Sequence, residues 1–432
     1  MSVKEHYRVA IDLPHLPPEI WSSIFQLATW STDIYNPQLM ISPGCDALYW
    51  AQLREFKRSL VTKRCLVRVC KAWYYIASPF LFEYIFLGKG RVLAPLRDGM
   101  LRSEHAVGSQ ELPHAIGSLT RRLDVHMHDR TDDPGAIMDI LADILNRLPN
   151  LRILTFAVFG LGYKASHYLP ENVLQATNAC RDTLRFLNCY GRLGPSPNSW
   201  ASFLMNHPRL EAINAPVALT KLGNPHLVLN SLKSIYVHCY TDQSESYDEN
   251  QLSNIDFPNI RHAIYDVTFL MPEIDSALHY EFPSKMEPQL TSVQINCLKT
   301  YPDDHDIMFA FNKVIQRITL NCERLTRVDF VIYDWQIPII VCFPKNVHTL
   351  GIMVTASRLS KPSVYEFLKA IHDFLSYVRS VKTLCFTDQT NIRALRAHPH
   401  ALSLCLDDIM ELGVNVVDRQ GRSLVWSEGT IT

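Results

Sequence analysis

A chain of 432 residues, 47% hydrophobic and 20% charged, has the composition of a folded protein and exceeds the length that one hydrophobic core usually serves. Its formal net charge of −1 provides no long-range field for nucleic acid or an anionic membrane, so neither is expected as a partner. No stretch approaches the roughly 18 apolar residues of a membrane-spanning helix, and Met1–Ala10 is too polar for a signal peptide. The 11 cysteines are scattered, without a CxxC or a zinc-like Cys/His spacing, which predicts a reducing compartment, cytoplasmic or nuclear.

In chain order, Pro17, Pro18 and Glu19 mark a helix start. Behind them Ile20, Ile24 and Leu27 recur at helical spacing, and Trp21 and Phe25 form a second apolar edge. One edge fills a small core and leaves the other for a partner. Ser31 to Ser59 interrupts the pattern, with Asn36-Pro37 and Ser42-Pro43-Gly44 predicting a loop and Ala47 to Leu53 a short helix. A second helix is expected through Leu66, Val69, Cys70, Trp73, Ile76 and Ala77. It breaks at Ser78-Pro79 before the aromatic segment Phe80 to Phe86. The basic run Lys57, Arg58, Lys63, Arg64 and Arg68 reads as a solvated face or a contact with an acidic partner.

Leu16-Pro17-Pro18-Glu19-Ile20-Trp21 with Ile24-Phe25, then Leu66 to Trp73 and Pro79 to Phe82, resembles an F-box, in particular the fungal type with an insert. The match takes residues 13–87 as a helical domain with its insert at about 31–59. The resemblance implies docking on a Skp-family adaptor, which hangs on a cullin scaffold of a ubiquitin ligase. Leu16, Pro17, Ile20, Ile24 and Phe25 would carry much of that contact. Val67, Val69, Cys70 and Trp73 would be shared between contact and core.

Residues 88–117 read as a polar connector or irregular first repeat, and 118–432 as a repetitive body. The phrase Leu151-Arg-Ile-Leu-Thr-Phe156 returns at Leu184, Leu210, Leu232, Leu290, Leu325, Val347 and Val381, preceded by a helical stretch and a turn. Its closing alternation is a strand with one buried face. Leu123 to Val125 begins the series, and Ile260, Ala263 and Tyr265 belong to it weakly. Stacked units of this kind share one core. The body is similar to an irregular leucine-rich-repeat solenoid, although several units lack the asparagine turn of regular repeats. The expected fold class is α/β, a small helical F-box bundle followed by that solenoid.

Little chemistry is visible. His126, His128 and Asp129 invite a metal, but the histidines are expected to be exposed and lack a third ligand. The acids of Asp303 to Asp306 suit a helix start. No phosphate loop, GxSxG or HExxH occurs. The outward strand residues Thr155, Asn188, Asn214, Ser234, Tyr236, Gln294, Asn296, Arg327 and Asp329 are the candidates for meeting a protein target. The expectation is a non-catalytic substrate-recognition subunit of a Skp-cullin-F-box ubiquitin ligase, without cofactor or metal. The alternative is an interaction scaffold that does not promote ubiquitylation.

Overall fold

The computed structural model describes residues 16–29, 46–109, 114–126, 134–156, 169–189, 196–214, 227–238, 255–267, 286–297, 305–337, 340, 342–355 and 361–424. Helices α1 (Pro18–Thr29), α2 (Asp46–Leu66) and α3 (Lys71–Phe82) come first. Parallel strands follow: β1 (Tyr84–Leu87), β2 (Arg122–Val125), β3 (Ile153–Phe156), β4 (Phe186–Cys189), β5 (Ala212–Asn214), β6 (Leu227–Val228), β7 (Ser234–His238), β8 (Ile255–Asp256), β9 (His262–Asp266), β10 (Ser292–Cys297), β11 (Arg327–Ile332), β12 (Thr349–Val354), β13 (Thr383–Phe386) and β14 (Asn415–Asp418). All but β6 and β8 form one 12-stranded sheet whose strand order is the chain order, so the protein is α/β with an open parallel sheet.

The recurring phrase builds this sheet. Every repetition from Leu151 to Val381 ends in a strand, and the weaker Ile260 unit joins them in register. The register aligns Leu123, Leu154, Leu187, Ile213 and Ile235 on successive strands, and continues to Leu384 and Val416. All of these are buried. They share one core with helical residues including Met138 of α6 (Pro134–Leu145), Trp200 of α8 (Pro197–Asn206), Phe311 of α9 (His305–Asn321) and Phe367 of α10 (Lys361–Tyr377). A sheet that always advances in one direction by right-handed crossovers places its helices on one face, as this packing requires. Between β5 and β9 the short ladder of β6 with β8 contributes Leu227 to the same layer.

Neighbouring units are also held at the turns before their strands. Asn150 donates to the Ser118 carbonyl at 2.7 Å, Thr183 to that of Pro149 at 2.8 Å, Asn259 to that of Asn230 at 2.7 Å and Asn346 to that of Glu323 at 2.8 Å. Asparagine turns therefore do occur, at intervals, with threonine substituting once. At the far edge the chain folds back over β14: Leu424 N–H donates to Val416 at 2.9 Å, and Asp418 N–H to Arg422 at 2.8 Å. That return pairs part of an edge that would otherwise recruit foreign strands.

Several boundaries differ from the sequence expectation. Residues 46–59 belong to the 21-residue helix α2, and only 31–45 of the supposed insert lie outside the described residues. The expected second helix is divided by a turn at 67–69, and α3 starts behind Cys70, whose sulfur accepts from Trp73 N–H at 3.5 Å. Pro79 does not end that helix, which continues to Phe82. Tyr84–Leu87, read as part of the head, is the first strand of the sheet. The supposed connector holds α4 (Leu93–Gly108), whose Leu93 and Met100 are in the main core. An aromatic strand next to an aromatic helix offers no change of composition by which to separate them.

Gly351 shows how tightly the other face of the sheet is fitted. A Cβ there would overlap Asp329 Oδ1 on the neighbouring strand, and that carboxylate is held by Arg327 at 2.8 Å. Gly351→Ala is expected to cost about 1–3 kcal/mol by overpacking. Combined with Asp329→Ala, which vacates the space, its effect in thermal unfolding should be clearly less than additive.

Candidate interaction site

The head presents an apolar helix face to solvent. In α1, Pro18 is the first helical residue, and the Pro17 carbonyl accepts from the N–H groups of Ile20 at 3.0 Å and Trp21 at 3.2 Å. The inward edge is aromatic: Phe25 is 1% exposed and meets Trp73 of α3 at 4.7 Å between ring centroids, while Trp21 meets Trp73 at 4.9 Å. The outward edge carries Leu16, Ile20, Ile24 and Leu27, all exposed, Leu27 to 79%. Pro17, Val69 and Cys70 are exposed as well, and Val67 and Trp73 are half-buried. One expectation needs correcting. Phe25 is core, because Trp73 supplies its packing partner, so it offers no surface to a partner in this arrangement.

Helix α2 fastens the head to the body. Leu53 and Phe56 form a buried cluster with Tyr84 of β1, with Phe56 and Tyr84 rings 3.8 Å apart. Two residues of the basic run, Lys57 and Lys63, lie over this contact, while Arg58, Arg64 and Arg68 are exposed. Lys57 Nζ sits 5.4 Å from the Phe86 ring centre and Lys63 Nζ 5.6 Å from that of Phe56, distances at which a cation is attracted to the aromatic face. Burial pushes the Lys63 amine below its ordinary range, with Glu83 partly opposing. Beneath the contact, Arg122 Nη2 and Asp124 Oδ2 are 2.6 Å apart, both buried, and Tyr84 donates its hydroxyl to the same carboxylate. The Arg122 guanidinium also lies 4.4 Å over the Tyr84 ring.

On the sheet, the proposed target residues alternate with the core set and so point away from the helices. They are not an exposed surface, however. Thr155, Asn188, Asn214, Ser234, Tyr236, Gln294 and Asn296 are buried, and Arg327 and Asp329 are half-buried. Small side chains on strands about 4.8 Å apart shield one another and bond laterally. Asn214 of β5 donates to Asn188 of β4, and within β10 Gln294 donates to Asn296 at 2.7 Å. Tyr236 belongs to a separate apolar cluster with Ala212, Ile264 and Phe186. Further along, His262 Nδ1 and Ser292 Oγ are 2.7 Å apart, and burial lowers the His262 pKa, favouring the neutral ring. Arg327, its charge reinforced by Asp329 despite burial, donates to that carboxylate through two nitrogens.

Other titratable groups are structural. Burial raises the Cys180 and Cys322 thiols to about 12 and raises that of Cys385, which keeps them protonated and unreactive. His126 is buried, contrary to expectation, while His128 and Asp129 lie outside the described residues. Among the described residues no group of His, Cys, Asp and Glu could hold a metal, and no helix is long and apolar enough to cross a membrane. Sequence reading missed Asn391, on α11 (Gln389–Arg396), which pairs both ways with the Val354 backbone at 2.8 and 2.7 Å. Asp388 as an N-cap was its available signal.

No family model matches the chain, and no curated protein matches it. Among solved structures, a Bacteroides fragilis protein determined by a structural genomics consortium is similar at 10% identity, covering 71% of this chain and 76% of its own, with a TM-score of 0.34. A likeness that remote carries no argument about function.

The buried Arg122–Asp124 pair yields a measurable consequence. Burial alone would raise the Asp124 pKa, but Arg122, Tyr84 and His126 more than offset it, so the folded value lies below the unfolded one. Its stabilisation is present above the unfolded value, near pH 4, and is lost as pH falls through the folded value. Asp124→Asn is therefore expected to cost about 3–5 kcal/mol at pH 7 by removing the negative charge that faces the buried Arg122 guanidinium. In denaturant titrations the gap to wild type should narrow only below about pH 4.

Proposed function

We propose that the head is an F-box that docks on a Skp-family adaptor, and that the body is a leucine-rich-repeat-like solenoid that presents a protein target to a cullin-based ubiquitin ligase. The observation that carries this reading is the outward edge of α1. Leu16, Ile20, Ile24 and Leu27 remain exposed although Trp21, Phe25 and Trp73 already satisfy the head's own packing. A contiguous exposed apolar stripe is the mark of an interface. Val69, exposed on the turn before α3, extends the apolar character to the second segment of the F-box resemblance.

The repeat reading is supported by chain-order parallel strands, one continuous core and lateral asparagine bonds between turns. In this role the chain performs no bond chemistry itself and supplies proximity to a recruited enzyme. The same adaptor contact would serve a scaffold that does not promote ubiquitylation. Accumulation of the target on loss of the protein distinguishes the two.

Ile20→Asp and Ile24→Asp are expected to abolish co-purification with a Skp-family adaptor while leaving the melting temperature unchanged, because both positions are exposed. Phe25→Asp should instead lower the melting temperature, since it places a charge in the aromatic core. Undiminished adaptor capture by the Ile20 and Ile24 variants would contradict the reading.

A further inference from the structure

Helix α2 buries one side on the sheet and turns the other outward. Leu53, Phe56 and Leu60 line the inner side. On the opposite side, at helical spacing, Arg54, Arg58, Val61, Arg64 and Cys65 are all exposed, Val61 to 62%, and Arg68 continues the stripe into the turn that follows. The four arginines stand three and seven positions to either side of Val61. None of them has an ion-pair partner among the described residues, and no carboxylate occupies these positions. Basic charge around an exposed valine is complementary to an acidic surface with an apolar centre.

The chain carries such a surface at its other end. Helix α12 (Pro399–Glu411) buries Leu402, Cys405, Leu406 and Ile409. Its last two turns expose Leu404 to 52%, with Asp407, Asp408 and Glu411 exposed three, four and seven positions further on, on the same stripe. These carboxylates have no ion-pair partner among the described residues, and the last turn holds no basic residue. Negative charge at the negative end of a helix is unfavourable, so an approaching cation is attracted by the carboxylates and by the helix end together. We propose that α2 of one copy docks on α12 of a second copy, head to tail, with arginine–carboxylate pairs around Val61 and Leu404. Helix α2 packs on β1 and α12 leads into β14, so the whole 12-stranded sheet lies between them and one chain does not pair them within itself. Each copy offers both stripes, which makes the contact heterologous, able to propagate from copy to copy or to close into a ring. A nucleic acid or an anionic lipid would suit α2 but leaves the matching acidic stripe without a role. Neither stripe is on α1, so the inference stands apart from the adaptor reading.

The test is sedimentation velocity of the full chain over a concentration series at low and high salt. At low salt the weight-average mass is expected to rise with concentration toward about twice that of one chain or beyond, and at about 0.5 M salt to return to that of one chain. Arg54→Glu with Arg58→Glu should abolish the rise, and so should Asp407→Lys with Asp408→Lys; all four positions are exposed, so neither double variant should melt earlier. An equimolar mixture of the two double variants should restore the rise, because each stripe then meets its opposite charge on the other variant. A wild-type mass that stays at one chain, association indifferent to either pair of reversals, or a mixture that stays monomeric would each overturn the proposal.

Discussion

No unit of this protein can bury its own apolar face, and lateral contact between units is the constraint on which the rest depends. A strand of three to six residues leaves its inward side chains half covered until the next strand lies beside it in register. Strand order identical to chain order then confines the helices to one side, and one core runs from Leu87 to Leu424. Units differ in what they place behind the strand: a 17-residue helix before β11 or β13, a two-residue ladder before β7 and β9. The sheet tolerates this because only the lead residue and the alternate strand positions must match.

The same constraint accounts for the junction with the head. The first strand of a stack needs a covering on the face its helices do not reach, and Leu53 and Phe56 of α2 provide it over Tyr84. The Tyr84–Asp124–Arg122 knot beneath joins β1 to β2. In the proposed role this packing gives the adaptor-docking face a defined orientation relative to the body, since α2 lies on the sheet while α1 packs on α3.

Much of the sheet was legible because the phrase combines a lead residue with period-two alternation, a signal strong enough to survive irregular spacing. Depth was not legible. Alternation says which side Thr155 or Asn214 points to, but burial follows from neighbours on other strands, which sequence spacing does not contain. Phe25 failed for a related reason: on a helix apolar on two edges, the inward one is chosen by Trp73, a partner 48 positions away in the numbering. Gly351 is explicable only once Asp329 is known to occupy its space. Helix α11 escaped because its apolar residues are sparse and its buried Asn391 reads as a surface residue.

The central claim is a division of labour, with docking on α1 and the sheet left free for other contacts. Hydrogen–deuterium exchange of the full chain, with and without a Skp-family adaptor, tests it most directly. The account predicts that bound adaptor slows exchange in 18–29 and around 66–73 and leaves the strands between 122 and 418 unchanged. Protection spread over the sheet, or none in α1, would contradict it.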